Sequence, residues 1–160
     1  MSRWLDLRRL GIGLLGFWAL YFGVVALSNL TDLLRSLHLL TTDWRWISGN
    51  LAFMASATGK FGVPAWVNPV LLASVIAWQG LAAVLFWQAA RTGVKAELGP
   101  PFAVGISLWG VFIILDEVLL IFETGAEATH LRLLIAQLLS LVLLRSEILL
   151  ESLAPPRGRG

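Results

Sequence analysis

The residues of this sequence that could do chemistry are few, and two carboxylates in an apolar stretch stand out. Asp116 and Glu117 are the only charged residues in 101–122. An ionisable side chain inside a membrane is costly and is by default a candidate functional site. Successive helical residues differ by about 100° around the axis, so the two carboxylates point in different directions. At least one should therefore be paired or protonated.

Partners for these carboxylates can be chosen by depth, at a rise of about 1.5 Å per helical residue. Arg132 lies at nearly the depth of Glu117 across the following connection, and its long stem favours an ion pair. Ser74 and Gln79 are the neutral candidates for Asp116. The predicted intramembrane polar contacts are Asp116, Glu117, Gln79, Ser74, Arg132, Gln137, Arg145 and Glu147.

A second set of residues recurs along the last apolar stretch at spacings of three, four or seven. It comprises His130, Gln137, Ser140, Leu144, Glu147 and Glu151. This spacing places them on one face of a helix. The face is predicted to contact other helices or a partner subunit, either as a structural hydrogen-bond network or as part of a site.

Other chemistry is sparse. The chain has no cysteine, which excludes disulfides, thiolate nucleophiles and thiol-ligated metal centres. Neither His38 nor His130 falls in the middle of an apolar stretch, where a haem pair would stand, so no metal and no cofactor is expected, with haem or quinone left open. Catalytic serine and glycine-loop motifs are absent, which disfavours an enzyme. A net charge of +2 gives no nucleic-acid patch.

The elements that position these residues are four long apolar runs, in a chain that is 58% hydrophobic. Each run is long enough to cross a hydrocarbon core of about 30 Å as a helix. None alternates like a barrel strand. The sequence therefore predicts an all-α membrane protein, a bundle of four transmembrane helices in a single domain over residues 1–154. The spans are 10–30, 67–90, 101–122 and 131–150.

Basic residues predict how the chain threads the membrane. With the N-terminus in the cytoplasm, eight of the twelve Lys and Arg residues lie on the inner side, as the positive-inside rule requires. Both termini are then cytoplasmic. Residues 31–66 form an outer interfacial segment with a helical part, anchored by Trp44 and Trp46. Residues 155–160, rich in Pro, Gly and Arg, are predicted to be a disordered tail.

The segment Asn29-Leu30-Thr31-Asp32, the Trp-containing segment after it and the late acidic residue of the third span resemble an uncharacterised bacterial family of predicted small integral membrane proteins, domain of unknown function 2165. The resemblance implies four spans and a location in the bacterial inner membrane. That family's second span often carries a carboxylate where this chain has Gln79. Physically, Asn29, Thr31 and Asp32 also suit the end of one helix and the start of another.

Three functions stay open. The small size, polar stripes and lack of a chemical motif favour a non-catalytic accessory, assembly or regulatory subunit of a larger membrane complex. Its partners would be the lipid bilayer and other membrane subunits or further copies of itself. Asp116 and Glu117 favour a small oligomeric transporter or proton-relay protein. The histidines and tryptophans fit a haem- or quinone-binding membrane protein.

Overall fold

The computed structural model shows an all-α protein whose long helices follow the apolar runs. It describes residues 2–93, 97–121 and 125–153, with side chains described for 9–149 of these ranges except 147. The predicted tail, 155–160, lies outside them. The helices are α1 (Ser2–Ser36), α2 (Asn50–Gly59), α3 (Val67–Thr92), α4 (Gly99–Val118) and α5 (Ala126–Leu153).

Four of these helices are long and apolar enough to cross a membrane. The segments are Arg9–Ser36, Val67–Thr92, Gly99–Val118 and Ala126–Ser146. The predicted four-helix membrane bundle, with a helical segment between its first two spans, is therefore confirmed.

The bundle is built by packing each helix against its neighbour. α1 lies along α3, α4 contacts both α3 and α5, and α5 touches α1 more briefly. Aromatic rings fill the centre: Phe22 of α1 stacks on Phe86 of α3 at 5.8 Å and on Trp109 of α4 at 5.7 Å between ring centroids. Large apolar side chains such as Leu20 and Leu139 remain exposed on the outer faces, as lipid contact requires.

The first helix is longer than the sequence suggested. The prediction that Asn29, Thr31 and Asp32 end one helix and begin another is wrong, because α1 continues to Ser36. Thr31 donates its hydroxyl back to the carbonyl of Ser28 and also to that of Trp46, at 3.0 and 2.7 Å. These side chains thus join the helix to the segment after it without breaking it.

Two helices end on non-glycine residues in the left-handed region. His38 after α1 has φ 58°, and Leu120 after α4 has φ 51°. The backbone N–H of His38 donates to Arg35, and that of Leu39 donates to Leu34. This is the Schellman pattern that usually employs glycine at the left-handed position. His38 therefore has a local structural role at an exposed helix end.

Candidate functional site

Asp116 and His130 meet where α4 and α5 pack together. Oδ2 of Asp116 lies 2.5 Å from Nδ1 of His130. The side chain of Asp116 is 4% exposed and that of His130 is 20% exposed. In the described residues this is the one ion pair that the structure contains. A hydrogen bond between an ionisable acid and base is among the stronger kinds, and burial strengthens it further.

The two residues come together because the connection between their helices is short. α4 ends at Val118 and α5 begins at Ala126, so residues equally far from the connection lie side by side in the helix pair. Asp116 and His130 are nearly equidistant from its centre. Depth along the helices predicts Arg132 as a partner of Glu117, and the same count along the sequence places His130 at nearly the level of Asp116.

Aromatic side chains of α4 hold the imidazole in place. The ring of Phe112 lies 4.9 Å from that of His130, between centroids. The indole of Trp109 also stacks on the imidazole of His130, at 6.0 Å between ring centroids and with an interplanar angle of 22°. Packed rings limit the rotation of the imidazole, so its hydrogen-bonding direction is set by the fold.

A cavity of about 290 Å³ lies beside this pair, between α2, α3 and α4. Asp116 and His130 both line it, and the rest of its wall is mainly apolar, with Phe53, Met54, Leu72, Trp78, Leu108 and Phe112. Leu71, Val111 and Leu115 also line the cavity and are 42%, 37% and 43% exposed. The cavity therefore opens on the outer face of the bundle between α3 and α4. Its size is near the lower end for small-molecule sites, about 300–1,000 Å³.

The wall that α2 contributes is held by a buried polar network from α1. Asn29, which is fully buried, donates from Nδ2 to Oε1 of Gln79 at 2.8 Å. Asn50, the first residue of α2, donates in turn to Oδ1 of Asn29 at 2.7 Å. Asn50 also lines the cavity. The network therefore ties α1, α2 and α3 together next to the candidate site.

Asp32 completes this attachment by capping α2. The helix follows Gly49, which has φ 76° and offers no side-chain cap. Oδ2 of Asp32 accepts hydrogen bonds from the backbone N–H of Leu51 and from the hydroxyl of Ser48, both at 3.0 Å. A carboxylate at a helix N-terminus satisfies free N–H groups and complements the helix dipole. The role of Asn29 and Asp32 is therefore to hold α2 over the cavity.

The predicted partners of the carboxylates are not those that the structure shows. Gln79 contacts Asn29 instead of Asp116. Ser74 lines the cavity, but its hydroxyl donates to the carbonyl of Val70 at 3.0 Å. Glu117 and Arg132 are both exposed, and the described part of the chain contains no ion pair between them. Adjacent carboxylates on one helix cannot both face inward, and Asp116 takes that position.

The polar stripe of α5 faces the bundle interior over much of its length. Gln137 is fully buried and Ser140 is 7% exposed. Ser140 accepts a hydrogen bond from the indole of Trp18 at 3.0 Å. Both amide atoms of Gln137 lack a partner among the described residues. Arg145 is exposed, and the side chain of Glu147 lies outside the described residues.

The arrangement can form a hydrogen bond to a bound molecule. An Asp–His pair activates a serine only when the hydroxyl lies within hydrogen-bond reach of the imidazole. The only hydrogen bond of the Ser74 hydroxyl in the described residues is the one to Val70. Nδ1 of His130 bonds Asp116 and His130 lines the cavity, so Nε2 is the ring nitrogen that remains for a bound molecule.

Fold and site together define an all-α, multi-pass membrane protein with an acid–base pair at the wall of an apolar cavity. No protein-family model, curated protein or solved structure matches the chain.

Proposed function

We propose that this protein is a non-catalytic integral membrane protein that binds a lipid-soluble molecule in the cavity beside Asp116 and His130. We further propose that it does so as an accessory subunit of a larger membrane complex in a bacterial inner membrane, with both termini cytoplasmic. The observation that supports binding is a mainly apolar cavity, open between α3 and α4, with the Asp116–His130 pair in its wall. A few polar groups in an apolar pocket are typical of ligand sites.

The accessory role is supported by what the spans leave exposed. α5 presents Leu131, Ile135 and Leu139 outward, at 46%, 47% and 64% exposure. These faces suit lipid or the helices of a neighbouring subunit. The resemblance of the Asn29–Asp32 segment to the bacterial small integral membrane protein family remains part of this proposal.

Native mass spectrometry of the purified protein in detergent tests the binding function. Ser74→Phe places a ring in the cavity, since Ser74 lines it. Ser107→Phe is the matched control, because Ser107 is exposed on α4 and is not in the cavity wall. Wild type and Ser107→Phe should retain a lipid-soluble molecule of discrete mass, and Ser74→Phe should lose it. Equal retention by all three proteins, or no bound molecule in any, contradicts the proposal.

Proton relay is a second candidate, favoured by the polar row on the interior face of α5. The Asp116–His130 pair, Gln137 and Ser140 follow one another along the helix pair. Asp and His side chains can serve as steps of a proton relay inside a membrane. Reconstituted vesicles should then show proton flux that is lost in Gln137→Leu while the protein stays folded. Absence of flux in wild type removes this candidate.

A further inference from the structure

We infer that the molecule bound in the cavity is a p-quinone, held by a hydrogen bond from Nε2 of His130 to a ring carbonyl. This inference rests on the proposed binding function and names the chemical class of its ligand. It is supported by the hydrogen bond of the pair, the lining of the cavity and the direction in which the cavity opens.

The contact with Asp116 decides which atom of His130 can bind the ligand. Nδ1 bonds Oδ2 of Asp116 and His130 lines the cavity, so Nε2 is the ring nitrogen that remains for a bound molecule. In the inferred complex one proton lies between Oδ2 of Asp116 and Nδ1 of His130, and a second proton on Nε2 is donated to the ring carbonyl. The pair and an uncharged acceptor then bring no net charge into the apolar wall, where a net charge is costly.

The lining excludes a phosphate head and favours a flat ring. The cavity wall, within the described residues, contains Asp116 and no Lys or Arg. A phosphate would find only the imidazole of His130 as a cation in this wall, and that imidazole already bonds Asp116. Trp78 and Phe112 contribute aromatic surface to the wall, and aromatic rings stack well on flat conjugated ligands. An uncharged ring with carbonyl acceptors satisfies both conditions.

The opening of the cavity accommodates the tail of such a ligand. Leu71, Val111 and Leu115 line the cavity and are exposed on the outside of the bundle. A cavity of about 290 Å³ holds the ring, while an apolar chain can pass between α3 and α4 into lipid. The inferred ligand therefore has a quinone head inside the protein and an isoprenoid or alkyl tail outside it.

The test measures binding of decylubiquinone to the full chain in detergent, by native mass spectrometry. The control ligand has the same ring and decyl tail with both carbonyls replaced by methyl ethers on an aromatic ring. Wild type should bind the quinone about tenfold more tightly than the control, because the control replaces carbonyl acceptors with weaker ones. Decylubiquinone should also compete with any molecule that co-purifies in the cavity.

His130→Phe gives the decisive comparison, since it keeps a ring beside Phe112 and removes Nε2. The variant should bind both ligands with nearly equal affinity, with binding of the control ligand unchanged. Loss of both ligands to the same extent would show a structural defect instead of a lost hydrogen bond and would overturn the inference. Equal binding of both ligands by wild type would also overturn it. A co-purifying molecule could be lost in Ser74→Phe while wild type does not bind decylubiquinone. In that case the proposed binding function stands and the quinone inference fails. If neither that molecule nor either added ligand binds, both fail.

Discussion

The buried contact between Asn29 and Gln79 should make a measurable contribution to the stability of the bundle. Asn29 is fully buried and Gln79 is 2% exposed. Side-chain hydrogen bonds in membrane proteins contribute about 0.6 kcal/mol on average and at most about 1.7 kcal/mol. Gln79→Met removes one such bond, so we expect the free energy of unfolding to fall by about 1 kcal/mol.

Asn29→Leu should cost more because Asn29 makes two of these bonds, one to Gln79 and one from Asn50. We expect a loss of about 2 kcal/mol. The double variant should lose about as much as Asn29→Leu alone, because the bond that Gln79→Met removes has already gone. The resulting coupling free energy, about 1 kcal/mol, isolates the contact from any change in packing.

Reversible unfolding by SDS in mixed micelles, followed by tryptophan fluorescence, measures these free energies. Gln88→Met is the matched control, because Gln88 lies on the same helix and is exposed. It should change the free energy of unfolding by less than about 0.5 kcal/mol. Additive losses in the double variant, or losses no larger than that of the control, would refute the role assigned to the network.

Further expectations concern the helix ends, the Asp116–His130 pair and the topology. His38→Gly should raise the free energy of unfolding by up to about 1 kcal/mol, because glycine adopts the left-handed conformation (φ 58°) without strain; a decrease in the SDS titration would contradict this. Asp32→Ala should cost about 1 kcal/mol and speed hydrogen exchange at the Leu51 amide, whose cap it removes; unchanged exchange would show that the cap is unimportant. Asp116→Leu should destabilise more than Asp116→Asn in the same titration, because asparagine can still hydrogen-bond to His130, and the reverse order would count against the pair. A reporter fused to the C-terminus should be active only if it works in the cytoplasm, so activity of a periplasmic reporter would invert the topology.

The class of fold could be read from the sequence because it depends on local composition. A run of apolar residues about twenty long forms a helix in lipid whatever surrounds it, since its backbone groups must bond within the segment. The four spans follow from this directly. Gly49 and Asn50 carry no comparable signal, and α2 begins there because Asp32, distant in the sequence, supplies its cap.

Which polar groups come into contact was decided by tertiary structure, although a depth count along the sequence already places Asp116 and His130 at a similar level. The sequence singled out Asp116, His130 and Gln79 as polar groups in apolar surroundings, yet their partners depend on how helices rotate and pack. Rotation of α4 turns Asp116 toward His130 and leaves Glu117 exposed. The approach of α1 to α3 joins Gln79 to Asn29. The hydrophobic effect has no direction, so the composition of a segment is enough to predict its burial in lipid. A hydrogen bond needs two atoms within about 3 Å, and only the packed bundle sets that distance.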